Sequence, residues 1–219
     1  ALAGDNAYFH LLLAGRAWRG ERNADFLRHL QAAAAAPRYE EGMGAWFGSL
    51  HRRMRAAPPG PAWAGASTDE AAATGALAIV LARLPSAYAL SAPCRDATDA
   101  GEPAVRQACH AIAMRLADQA GTMMDLGVAS ALLEALGTPR EQARIAVRHR
   151  QARWWATQAA RHAWDAPPGP GREALLRAYW ADLAAYGELR AMEAMVARLG
   201  LPDLPPADFE PFLSDRVSP

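Results

Sequence analysis

The sequence predicts an all-α protein in which antiparallel helical hairpins, about eight helices in all, stack into an irregular α-α superhelix or bundle. Three observations carry this. Alanine, the strongest helix former, supplies 54 of the 219 residues. Apolar residues recur at steps of three and four through the long segments, as one face of a 3.6-residue helix requires. Capping residues and Gly or Pro stops bracket those segments.

Asp5 and Asn6 can cap a first helix, whose apolar positions include Tyr8, Leu11, Leu12 and Trp18. Gly20 ends it, and Asn23 opens a second with Phe26, Leu27, Leu30 and Ala33 or Ala34 along one side, closed by Pro37. A third helix spans about Tyr39 to Ala57, with Met43, Trp46, Phe47, Leu50 and Met54 on one face. Ser67 and Glu70 have capping-box spacing ahead of a fourth, which runs to Leu84 with Ala73, Leu77, Val80, Leu81 and Leu84 inward. Ser86 to Ala92 leaves room for a short turn.

Glu102 and Pro103 then start a fifth helix with Val105, Cys109, Ile112 and Leu116 on its buried face. Gly121 marks the turn into a sixth, striped by Met124, Val128, Ala131 or Leu132, and Ala135, and Gly137 stops it. Thr138 and Glu141 form another capping box around Pro139, opening a seventh helix that reaches about Trp164. The last, Arg172 to Leu199, reads as one continuous helix. Leu175, Tyr179, Leu183, Tyr186, Leu189, Met192, Val196 and Leu199 follow each other like a coiled-coil seam, until Gly200 and Pro202.

Two Pro/Gly breaks, Pro58 to Pro61 and Pro167 to Gly171, punctuate the chain. They divide it into an N-terminal hairpin plus third helix (1–57), a linker (58–66), a main helical region (67–199) and a Pro-rich tail (200–219), together one continuous domain. The tail from Leu201 holds five prolines and two phenylalanines, a composition that either drapes over a groove or stays poorly ordered.

Cys94 and Cys109 are the only cysteines. Cys94 is expected in a polar loop through Asp96, Thr98 and Asp99 to Gly101, and Cys109 on a buried helix face. A disulfide between them would tie that loop down and contribute roughly 3 kcal/mol. Unpaired, they would be two buried thiols of a cytoplasmic protein. Two cysteines flanking one loop favour the bond, and with it export, to the periplasm for example. A zinc site is disfavoured, because CxxC spacing is absent and His110 points to another side of the helix.

The 23 basic and 23 acidic residues balance, so no net field draws in nucleic acid or an anionic membrane. Every basic residue is Arg, which together with the alanine content fits a GC-rich genome. No apolar run approaches the ~20 residues needed to span a bilayer. The chain begins at Ala1 without a methionine, as a mature or trimmed product would.

No catalytic, cofactor-binding or metal motif stands out: HExxH, GxSxG and glycine-rich phosphate loops are all missing. His10, His29, His51, His110, His149 and His162 lack partners at metal-ligand spacing along a helix. Asp118 and Asp125 flank a hairpin turn, where capping and solvation are the expected roles. Met114, Met123, Met124, Met192 and Met195 are expected as core filler. The seventh helix is basic, and Arg144, Arg148, Arg150 and Arg153 with Trp154 and Trp155 make a candidate surface for an acidic protein partner. The same run also reads as a solvated Arg face with Trp turned inward.

Asn6 to Pro37, two short helices turning at Gly20 and ending at Pro37, resembles a tetratricopeptide unit in shape. Arg16 and Asp25 fall where such repeats usually carry aromatic or small residues, and no second unit follows at a fixed period. More loosely, the chain is similar to exported helical-repeat proteins of proteobacteria. The resemblance implies a non-catalytic module that binds a protein or peptide on a shallow concave surface. A small apolar ligand held by Trp154, Trp155, Trp164 and Trp180 between the C-terminal helices is the alternative.

Overall fold

A computed structural model describes residues 5–57, 68–83, 91–100 and 102–210. Among them the chain forms ten α-helices and no strand. In order these are α1 (Ala7–Arg19), α2 (Asn23–Ala35), α3 (Met43–Arg55), α4 (Thr68–Arg83), α5 (Ser91–Ala100), α6 (Pro103–Gln119), α7 (Met123–Leu136), α8 (Pro139–Ala159), α9 (Pro170–Tyr186) and α10 (Glu188–Arg198). A five-residue π-helical segment, Ala160–Trp164, continues α8. Ser67, Leu84, the 58–66 linker and the end of the tail lie outside the described residues. No helix among the described residues is long and apolar enough to cross a membrane.

The helices form two compact units that interleave along the sequence, one of Ala1–Glu41 with Pro85–His149 and the other of Gly42–Leu84 with Arg150–Pro219. The third helix, grouped on sequence with the N-terminal hairpin, therefore belongs with the C-terminal helices. α8 supplies its residues up to His149 to the first unit and those from Arg150 to the second.

In the first unit α1 packs on α2, α2 on α6, and α6 on α7. Asn6 caps α1 as expected, its Oδ1 accepting the Tyr8 N–H at 3.1 Å. The same buried side chain also accepts the Glu40 N–H at 3.0 Å and donates to the Glu40 carbonyl at 2.7 Å. The start of α1 is thereby fastened to the chain leaving α2, and the Ala7 N–H adds a bond to the Arg38 carbonyl at 2.8 Å. The end of α2 has carbonyls with no partner inside the helix. Arg115 of α6 reaches those of Ala33 and Ala34, while Gln119 accepts the Tyr39 N–H at 2.6 Å. Val105, Cys109, Ile112 and Leu116 are buried on α6, as the spacing predicts.

Two expectations in this unit are corrected. The buried stripe of α7 consists of Asp125, Leu126, Val128, Ala129, Leu132 and Leu133, and Met124 is half exposed at 50 %. The reason is the cap. Thr122 Oγ1 accepts the Asp125 N–H at 3.2 Å and donates to its carboxylate at 3.0 Å, which turns Asp125 inward and rotates the stripe. Second, Cys94 does not sit in a loop but in α5. Pro93 lies in the first turn of that helix, where the missing N–H costs nothing, and packing against α6 and α7 outweighs a polar sequence. The sulfurs of Cys94 and Cys109 lie at disulfide distance, with Cα atoms 5.8 Å apart and both residues fully buried.

In the second unit α3 packs against α4 and α9, and α9 against α10. The single long C-terminal helix expected from the heptad-like pattern is broken at Gly187, whose φ of 87° and ψ of 178° only glycine adopts readily. Tyr186 is consequently exposed, although Leu183, Leu189, Met192 and Val196 of the predicted seam are buried. The break leaves room for α3. A Cβ on Gly44 would lie 2.6 Å from the Leu183 carbonyl oxygen and 3.2 Å from the Gly187 nitrogen, and one on Gly48 would lie 3.1 Å from the Ala184 Cβ. On α4 the buried face is small, formed by Ala71, Ala72, Ala73, Ala76 and Val80; Leu81, expected inside, is 50 % exposed.

Three outcomes concern stability. Gly44→Ala should cost about 1–3 kcal/mol in chemical denaturation, because backbone atoms must move to admit the methyl group. Gly127→Ala in α7, where an added Cβ meets nothing within 4 Å, should stabilise by about 0.5–1 kcal/mol. Mass analysis of unreduced, folded protein should find Cys94 and Cys109 protected from alkylation. Reduction should lower stability by about 3 kcal/mol and raise hydrogen exchange in α5, and two freely alkylated thiols would refute the bond.

Candidate functional site

α8 carries all six residues of the sequence-predicted surface, and its start is firmly set. The Thr138 N–H donates to Glu141 Oε2 at 2.7 Å and its hydroxyl donates to the same oxygen at 2.9 Å, completing the expected capping box. His110 Nε2 lies 3.1 Å from that oxygen. The Thr138 backbone bond first, then His110 and the Thr138 hydroxyl, hold the Glu141 carboxyl down to about 2.

Five of the six residues separate into two groups, and Arg153 joins neither. Arg144 forms an ion pair with Asp118 near the end of α6, and Arg148 donates to the Ala117 carbonyl there. These two guanidinium groups thus tie α8 to the C-terminal turn of α6, whose carbonyls attract cations. Asp118 and Asp125 are held by different partners, Arg144 and Thr122 respectively.

Beyond His149, Arg150, Trp154 and Trp155 converge on one segment of the tail, residues 202–209. Trp154 Nε1 donates to the Pro202 carbonyl at 2.8 Å. Trp155 Nε1 donates to the Asp203 carboxylate at 3.0 Å and to its carbonyl at 3.2 Å. Arg150 donates to the carbonyls of Pro206 and Ala207, each at 2.8 Å, and of Phe209 at 3.3 Å. Gln151 adds a bond to the Asp203 carboxylate at 2.8 Å. The Phe209 ring stands edge-on to Trp154, centroids 5.2 Å apart. Arg153 is half-buried and takes no part in these bonds.

Chemically, the helix presents N–H donors and an aromatic face, and the tail presents main-chain carbonyls. Proline lacks an N–H and restricts φ, so a Pro-containing segment offers acceptors on a backbone already limited in conformation. The segment bends at 203–204 and turns at 207–208, where the Phe209 N–H donates to the Pro206 carbonyl at 3.0 Å, so its carbonyls point towards α8, and the Asp203 carboxylate is the main polar side-chain contribution. Of the two sequence alternatives, the described part of the tail, to residue 210, drapes along α8. No family model, curated protein or solved structure matches the chain.

The remaining candidates are placed as follows. Trp164, Tyr179 and Trp180 pack edge to face with centroids 4.9–6.0 Å apart, and Phe47 lies 5.8 Å from Trp180. Met192 and Met195 are buried in α10. His10 stacks on His29, and His51 lies 3.3 Å from Asp69. Among the described residues no group of three or more His, Cys, Asp or Glu side chains could hold a metal ion. Gln151 and Asp203 escaped the sequence reading; the signal for them was Pro202, Pro205 and Pro206 followed by Phe209, a segment able to lie along an aromatic face.

The cap gives a pH-dependent outcome. The folded Glu141 carboxyl titrates near 2 against an ordinary value of 4.5, so its contribution is complete above about 4.5 and disappears as pH falls towards 2. Glu141→Gln should therefore be less stable than the parent at pH 7. Denaturation curves of the two proteins should converge as the pH approaches 2.

Proposed function

We propose that this protein is a non-catalytic peptide-interaction module, and that the Arg150–Trp155 face of α8 binds short, turn-forming, proline-containing segments. The observation that carries this reading is the tail itself. Residues 202–209 are held by two indole N–H groups and one guanidinium, five of the accepting atoms being main-chain carbonyls. Prolines that fix φ and a turn closed from the Phe209 N–H to the Pro206 carbonyl leave such a segment little conformational entropy to lose on binding. Asp203 and Asp208 make the occupant acidic, in keeping with the Arg-rich helix that meets it. The partner class is accordingly a protein bearing an acidic, proline-containing turn segment, with the chain's own tail as resident occupant.

The hairpin of α1 and α2 supports a kinship of shape with tetratricopeptide proteins, which also bind peptides on packed helices. The Cys94–Cys109 pair supports an oxidising, exported setting such as the periplasm.

The test uses a synthetic peptide covering 201–210 and two full-length proteins, the parent and a variant with Asp203→Ala and Phe209→Ala that loosens the tail. Tryptophan fluorescence should report saturable binding to the variant and weaker binding to the parent, whose own tail competes. Adding Trp154→Phe and Trp155→Phe to the variant should weaken binding roughly tenfold or more, because both indole donors are lost. No saturable binding to the loosened variant, with its helical signal intact, would refute the proposal.

A further inference from the structure

A cavity of 450 Å³ lies in the first unit, where α1 and α2 meet α5 and α6. Its volume falls in the ~300–1,000 Å³ range of small-molecule sites. Its apolar surface comes from Trp18, Phe26, Leu27 and Val105, with Phe26 and Val105 buried and the Trp18 and Phe26 rings 5.2 Å apart. The charged part of the lining is of one sign. Asp96 of α5 and Glu102, the residue before α6, contribute carboxylates, and no lining residue among the described residues is basic. The basic side chains of α2 and its approach are engaged elsewhere: Arg22 lies 3.2 Å and Arg28 2.8 Å from Asp25. Among the described residues Asp96 and Glu102 form no ion pair.

We infer that this cavity is a binding site for a small organic cation, an ammonium group carried on an apolar or aromatic body. The two halves of the site fit the two halves of such a molecule. The apolar body takes up the surface of Phe26, Leu27 and Val105, where its removal from water is favourable. The ammonium lies towards Asp96 and Glu102, and the Trp18 face adds a cation–π attraction. An anion of the same shape would meet two like charges, and a neutral analogue would forgo both electrostatic contributions.

The walls are also held together covalently. Cys94 lies two residues before Asp96 on α5, and Cys109 lies one turn beyond Val105 on α6. Their pairing at disulfide distance holds the helix carrying Asp96 against the helix carrying Val105. The site is therefore built from elements that cannot drift apart while the pair is oxidised. It is separate from the tail-binding face, which takes a peptide rather than an ammonium.

Isothermal titration of the full-length, oxidised chain with phenethylammonium, and in parallel with the neutral 2-phenylethanol and the anionic 3-phenylpropionate, tests the inference. Phenethylammonium should bind saturably and roughly tenfold or more tighter than the alcohol, and the carboxylate should not bind. The double variant Asp96→Asn with Glu102→Gln, whose melting temperature is checked against the parent, should lose that preference while still binding the alcohol. Trp18→Leu should weaken the cation more than the alcohol. The inference is overturned if the cation does not bind the parent, if cation and alcohol bind equally, or if the double variant keeps the parent's preference.

Discussion

An alanine-rich helix offers its neighbour little more than a methyl group at each contact, worth about 0.8 kcal/mol when buried. Two such helices gain appreciable burial only when their backbones come close. That requirement shapes both units. In the second, α3 presents Gly44 and Gly48 one turn apart, and α9 meets them with the Leu183 carbonyl and Ala184. In the first, Ala108, Ala113 and Ala117 line the buried side of α6 beside Val105, Ile112 and Leu116. Large side chains fill what the small ones leave, as Trp180 does beside Phe47.

Close approach without large interlocking side chains leaves helix ends and register weakly specified, and polar groups supply the missing specification. Asn6 binds the start of α1 to residue 40 through two hydrogen bonds while a third caps the helix at Tyr8. Arg115 and Gln119 of α6 close the end of α2, and Arg144 and Arg148 of α8 close the end of α6. The repeated use of arginine at helix C-termini fits both its fork of donors and the negative end of the helix dipole. A chain whose every basic residue is arginine has this device available throughout. The Cys94–Cys109 pair does for the polar α5 what hydrogen bonds do elsewhere.

The two proposed sites use these structural devices for binding. On α8, indole and guanidinium donors that would otherwise hydrogen-bond water hold the carbonyls of a proline-containing segment that bends and turns. In the first unit, carboxylates on α5 and before α6 border an apolar cavity whose walls are tied by the cysteine pair. Neither site needs a nucleophile or a proton donor, and both depend on rigid helices that present fixed groups.

What the sequence by itself determined was local. The helical class, the capping box at Thr138 and the cap at Asn6, the buried face of α6 and the breaks at Gly20, Pro37 and Gly137 all depend on residues within a turn or two of each other. Spacing reports such interactions directly. Tertiary structure decided what no local pattern could express. Met124 and Leu81 match a helical stripe yet face outward, because the cap of α7 and the methyl-lined face of α4 set the rotation of those helices. Cys94 joins a helix because α6 and α7 give that polar segment something to pack against. The seam from Leu175 to Leu199 breaks at Gly187, because α3 needs the space beside Leu183. Arg144 and Arg150 look equivalent in the sequence, six residues apart on one basic helix, but one holds the end of α6 and the other holds the tail. Which partner a side chain meets depends on contacts far apart along the chain, and one helix's periodicity carries no record of them.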